Sequence, residues 1–231
     1  MCQAANRLKT HDRSCLRAEQ VITNGGCHMA FARILAIVLM VVTVPVFARA
    51  GTPAPENFIH TLADRALGLV TDKASDLSAR RERFDELLSE TFDMEGIGRF
   101  LLGRYWPLAT PEEREAYLKA FKESIVYTYT ARFDEYSGQR LVVDGSREDG
   151  QFTLVNSRIV GSQGGPEVKV EWRLIRLGDN YKVVDVVIEG VSMSVTQRQE
   201  YASVIQSNGG KVGALIKALN ERMARLKSSD S

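Results

Sequence analysis

The stretch Gly190-Val191-Ser192-Met193-Ser194 follows an alternating run, "YKVVDVVIEG", and places a hydroxyl where a strand gives way to a helix. Hydrolases hold a nucleophilic serine at such a junction. Their elbow reads G-x-S-x-G, because glycines on both sides relieve a strained turn. Here Ser194 stands where the second glycine would be. A serine nucleophile also needs a base and a group that orients the base. Beyond residue 50 the chain has one histidine, His60, and it falls in the first helical stretch. In the competing reading, Gly190 ends a strand and a serine caps the next helix.

Metal chemistry has fewer residues to draw on. Cys2, Cys15 and Cys27 all lie within the first 28 residues. The acid pairs Glu112-Glu113 and Asp134-Glu135 are adjacent rather than spaced like a cation cluster, and read as solvated helix faces. No glycine-rich phosphate loop follows a strand. No acid pair is singled out for glycoside cleavage. The residues thus point to no catalytic group and no metal.

The N-terminal region carries an address. Residues 34–47, "ILAIVLMVVTVPVF", form an apolar run after Arg33 and before Ala48-Arg49-Ala50. A basic residue, a short apolar stretch and small residues two apart predict a cleaved signal peptide over 29–50. The run is short for a spanning helix and contains Pro45. Residues 1–28 are polar, without periodicity, and precede a signal complete from Met29; they read as an upstream extension. The expected mature chain, 51–231, then has no cysteine, 24 Lys or Arg and 27 Asp or Glu, a formal net of −3. That is not the footprint of a nucleic-acid binder. About 180 residues make one ordinary domain with a real core.

Aromatic residues are the more informative group. Tyr117, Phe121, Tyr127, Tyr129, Phe133 and Tyr136 crowd one helical stretch, Tyr105 and Trp106 precede it, and Trp172 falls on an apolar strand face. Such stripes make a core, or the wall of an apolar ligand cavity between sheet and helices. Periodicity does not separate the two, because both walls use the same residues.

The elements that must position these residues follow from spacing and caps. Phe58, Leu62, Ala66, Leu67 and Val70 recur at helical intervals, as do Phe84, Leu87, Leu88 and Phe92. Asp93 caps a short third helix with Ile97, Phe100, Leu101 and Tyr105. Thr110, Pro111 and Glu113 open a fourth, predicted to run to about Tyr136 and close at Gly138. The texture then turns β-rich: "RLVVDG", "QFTLVNSRIV", "EVKVEWRLIRL" and "YKVVDVVIEG", separated by turn signals. Val168, Val170, Trp172 and Leu174 share one strand face, opposite Lys169, Glu171 and Arg173. Val184, Val186 and Ile188 read as the matching face of the next strand. Short links make the strands antiparallel neighbours. Two helices finish the chain, the first with a possible capping box at Ser194 and Gln197. Four helices, four strands and two helices predict an α+β fold, an antiparallel sheet with helices on one face.

"LGRYWPLATPEEREAYLKAFKESIVYTYTARFDEYSGQ" followed by "YKVVDVVIEGVSMSVTQRQEY" resembles the MlaC family, also called the toluene-tolerance family, over residues 55–226. The resemblance rests most on a strand, "IEGVSM", and a helix with Arg198 and Tyr201; "LGRYW" and "GALIKAL" also fit. It implies an NTF2-like sheet of about four strands wrapped by about six helices, with an apolar cavity between them. It implies a monomeric periplasmic carrier, not an enzyme, with no metal and no cofactor beyond phospholipid as cargo. The implied partners are an outer-membrane lipoprotein complex and an inner-membrane ABC transporter with its MCE-domain subunit. Apolar spacing and the resemblance together nominate Phe100, Leu101, Tyr105, Phe121, Ile125, Tyr129, Trp172, Val186, Ile188, Val191 and Met193 as tail-contacting residues. Arg198 is nominated for the head-group phosphate, against a salt bridge to an acid such as Glu189. The resemblance also admits a carrier of another lipid, such as a hopanoid. A periplasmic hydrolase using Ser192 is the reading from outside the carrier class.

Overall fold

A computed structural model of the chain describes residues 54–229 apart from Gln163. The expected signal peptide, the upstream stretch and all three cysteines lie outside the described residues. The chain first lays down four helices: α1 (Pro55–Thr71), α2 (Leu77–Thr91), α3 (Met94–Leu102) and α4 (Pro111–Thr130). Their starts are written into the sequence. Pro55 occupies the first turn of α1, where its missing N–H costs no hydrogen bond. The Asp76 carboxylate caps α2 through Ala79 N, and Asp93 caps α3 through Gly96 N. Thr110 and Glu113 form the expected reciprocal capping box of α4. Thr110→Ala removes one half of that box. It should lower stability by about 1 kcal/mol and the thermal midpoint by roughly 2–4 °C, read by circular dichroism.

Five strands follow: β1 (Arg140–Asp149), β2 (Phe152–Val160), β3 (Val168–Leu177), β4 (Asn180–Ile188) and the two-residue β5 (Val191–Ser192). They form an antiparallel sheet in sequence order, one strand more than expected. The extra strand is the "VS" of "IEGVSM": Glu189 and Gly190 both take positive φ, and the chain folds straight back onto Ile188 and Val187. Helices α5 (Met193–Ser207) and α6 (Val212–Ser229) complete the α+β fold. Ser192, not Ser194, caps α5.

Two apolar clusters hold these layers. One lies among α3 to α6, around Leu101, Leu102, Tyr117, Phe121, Tyr201 and Ile205. The other lies between α1, α2 and the sheet, around Ile59, Leu87, Val155, Leu174 and Val183. The link between α2 and α3 ties the helices to the sheet edge: Asp93 N donates to Val183 O at 3.0 Å. Lys182 Nζ reaches the carbonyls of Ser89 and Glu90 at the end of α2, where a cation is favoured.

Two expectations need correction. Helix α4 ends at Thr130 rather than near Tyr136, because Phe133 turns away to join the sheet-side cluster, edge-on to Phe84 at 5.5 Å. Val184 does not share a face with Val186 and Ile188. Arg173 pairs with Asp185 and Leu174 with Val183, so Val184 is the extra residue of a bulge. The bulge moves Tyr181 and Val183 onto the face of Val186 and Ile188 and turns Asp185 and Val187 to the other.

Candidate functional site

Directly paired strand residues share a face, so the register defines one apolar surface across the sheet. Val168, Val170, Trp172 and Leu174 of β3 meet Ile159, Ser157, Val155 and Thr153 of β2. On the other side they meet Val183, Val186 and Ile188 of β4. Leu141 and Val143 of β1 extend the same face. Its cover is uneven. At one end, under α1 and α2, Val155, Leu174 and Val183 are fully buried. Toward the other end Trp172, Val186, Ile188, Val168 and Leu141 are only half-buried, and Ile159 is 36% exposed. An apolar sheet face that its own helices do not fully cover is the geometry of an apolar ligand site.

The Trp172 indole is fixed within this face. Its Nε1 donates to Ser157 Oγ at 2.9 Å, and Ser157 in turn donates to the Val170 carbonyl at 3.0 Å. The buried hydroxyl thus has both roles filled, and the indole is anchored at its nitrogen.

The nominated residues do not form one wall. Trp172, Val186 and Ile188 come together on the sheet face. Leu101, Tyr105 and Phe121 are buried in the helical cluster, with Ile125 packed against it. Tyr129 is 56% exposed near the end of α4, Val191 is exposed on β5, and Met193 is half-buried at the start of α5. Leu141, Val143, Ile159 and Val168 belong to the apolar face and were not among those nominated. Alternation in "QFTLVNSRIV" marks Val155, Ser157 and Ile159 as one side. Only strand register shows that this side is continuous with Trp172.

Phe100 and Arg198 meet elsewhere. The Arg198 guanidinium lies over the Phe100 ring at 4.8 Å, in a groove of about 430 Å³ that also includes Gly103, Trp106 and Pro107. Glu189 is not its partner: the Glu189 carboxylate accepts from Lys169 N, opposite the turn. Among the described residues Arg198 makes no ion pair.

Ser192 is fully engaged as a structural group. Its Oγ accepts from Val195 N at 3.1 Å, capping α5, and donates to Asp185 Oδ2 at 2.6 Å. Asp185, buried on the far face of β4, also accepts from Ser194 N at 2.9 Å. Its carboxylate staples the sheet to the first turn of α5. His60 is exposed on α1, which packs on β1 and β2, across the sheet from Ser192. Ser192→Ala removes a cap and one donor to a buried carboxylate. It should lower unfolding free energy by about 2 kcal/mol in urea titration. A variant that melts like the wild type would show that the staple carries no stability.

The chain matches a family model, two known proteins and a solved structure. A family model described as MlaC protein matches residues 60–221. The toluene tolerance protein ttg2D of Pseudomonas putida is 25% identical over 183 residues, 74% of this chain and 85% of its own length. The intermembrane phospholipid transport system binding protein MlaC of Haemophilus influenzae is 27% identical over 121 residues, 51% of this chain and 56% of its own. Among solved structures, a phospholipid-binding protein from Ralstonia solanacearum, in complex with a phospholipid, superposes with a TM-score of 0.66. It is 25% identical, and the match covers 77% of this chain and 99% of the other.

Proposed function

The chain belongs to the MlaC family, and from that premise we propose that it is a periplasmic carrier of glycerophospholipids. It takes a lipid by its acyl tails and moves it between an outer-membrane lipoprotein complex and an inner-membrane ABC transporter with its MCE-domain subunit, without transforming it. The observation that carries this reading is the partly uncovered apolar face around Trp172, Val186 and Ile188. The physical need is large. Burying a methylene is worth roughly 0.8 kcal/mol, so a tail of about fifteen faces about 12 kcal/mol in crossing water alone. A carrier must replace water along the tail with apolar side chains. The half-buried residues of this face offer such contacts without emptying the core, because Leu174, Val155 and Val183 beneath α1 and α2 stay fully packed.

The test is direct. The full chain is expressed for export to a bacterial periplasm, purified and extracted with organic solvent for lipid mass spectrometry. About one phospholipid per protein is the expected result. A stable, lipid-free protein would overturn the reading, and hopanoid in place of phospholipid would keep the carrier and change its cargo. N-terminal sequencing of the same sample should begin at Gly51; an intact residue 34–47 segment would remove the cleaved-signal step.

A further inference from the structure

We propose that the groove holding Arg198 is a docking surface for an acidic segment of a partner protein, with a carboxylate seated on Arg198 and apolar neighbours against Phe100 and Leu108. The inference goes beyond the carrier reading and does not depend on which lipid is carried. The first observation is charge without compensation. Arg99 and Arg198 line this groove, Arg114 lies over its Trp106 ring at 5.3 Å, and Arg104 follows Gly103 in the chain; among the described residues none of the four makes an ion pair. On the sheet, by contrast, Arg147, Arg158 and Arg173 are each paired with carboxylates. Arg104 donates to the Tyr105 hydroxyl, and Arg114 to the backbone carbonyls of Trp106 and Pro107. Among the described residues Arg198 donates to nothing.

The second observation is that Arg198 is held in place before any partner arrives. Phe100 supports one side of the guanidinium at 4.8 Å. Gly103 leaves it room: a Cβ there would lie 2.6–2.9 Å from three guanidinium atoms, so a larger residue would displace the arginine from this position. A planar fork fixed by an aromatic ring, with its N–H edge free, is matched to an oxyanion. Little ordering remains to be done when one binds.

The third observation selects the occupant. Phe100 is 42% exposed, and Leu108, next to Pro107 at the groove, is 72% exposed. A free phosphate would satisfy Arg198 and leave both side chains wet. A chain segment carrying a carboxylate between apolar residues covers all three groups. Arginine and aromatic side chains at the centre of a patch also dominate the energetics of protein interfaces.

The test places the photocrosslinking residue benzoylphenylalanine at Trp106, in the full chain, in the cells that make it, and identifies the product by tandem mass spectrometry. The expected product joins the groove to a protein segment that bears an Asp or Glu within a few residues of the crosslink. Arg198→Glu, and separately Leu108→Asp at a site too exposed to matter for folding, should each reduce that product about tenfold. Replacing the partner's acid by Arg should restore it in the Arg198→Glu background. Bound lipid is measured in every variant. Loss of the crosslink with lipid retained supports docking. A crosslink to lipid, a product unaffected by both substitutions, or joint loss of crosslink and lipid in Arg198→Glu would overturn it. The last result would instead return Arg198 to the lipid head group.

Discussion

Ile188→Asp is expected to leave a folded protein that purifies with less than about one-tenth of the wild-type lipid. Ile188 lies at the less covered end of the apolar face, paired with the buried Val170 on β3 and with Val191 across the tight turn. It is half-buried and belongs to neither apolar cluster, so the fold does not depend on it as it does on Leu174 or Val183. A carboxylate there can stay hydrated while the site is empty. It loses that water when an acyl chain lies over it, at a cost of several kcal/mol. Every 1.4 kcal/mol is tenfold in affinity, so about 4 kcal/mol weakens tail binding roughly a thousandfold. Val186→Asp should act the same way with a larger stability loss, because Val186 packs directly on the sheet-side cluster. The control is Lys169→Asp, which changes charge on the opposite face of β3 and should keep its lipid. Lipid mass spectrometry with a urea melt on each variant decides the matter. A folded Ile188→Asp protein with full lipid would move the tails to another surface.

That experiment rests on a face that was legible in the sequence only in part. The alternation of "EVKVEWRLIRL" places Val168, Val170, Trp172 and Leu174 on one side, and the register agrees. Alternation within β4 fails at Val184, because a bulge is a property of two strands and leaves no mark on the period of one. The same limit explains the helices. Caps are local chemistry, so Asp93 and the Thr110–Glu113 box could be read in advance and recur in the structure. Which face of a helix is buried depends on the neighbour. Tyr129 has the spacing of a core residue and is exposed, while Phe133, four residues on, leaves the helix for the other cluster. Phe100 likewise has inward spacing but serves as a platform for Arg198. The seat that Gly103 provides depends on a side chain 95 positions away, which no local pattern encodes.

The helical cluster should make the protein sensitive to alkali. Tyr117 is fully buried, and its hydroxyl donates to the Gly98 carbonyl at 3.1 Å. Tyr201 meets it edge-to-face at 6.2 Å and meets Phe121 at 6.5 Å. Burial pushes the Tyr117 phenol far above its ordinary range, and the neighbouring Tyr201 adds to the effect. Burial likewise pushes Tyr201 up to about 12, against the opposing influence of the Ser124 hydroxyl and Arg222. In the unfolded chain both titrate near 10. The folded state therefore keeps protons that the unfolded state gives up, and their contribution to stability is complete below about pH 10 and falls above it. One group loses about 1.4 kcal/mol per pH unit in that window, so two lose about 2.7. Two units of pH would then remove about 5 kcal/mol, comparable to the whole stability of many domains. Urea titrations at pH 8, 10 and 11 should show this steep fall. Tyr201→Phe should reduce the slope between about pH 10 and 12 by roughly half, although it changes no charge at pH 8. Tyr117→Phe should flatten it as well, from a starting stability lowered by about 1 kcal/mol for the lost bond to Gly98. Identical slopes in the wild type and both variants would mean that the phenols reach water before the cluster opens, and the helical layer would then be looser than its packing suggests.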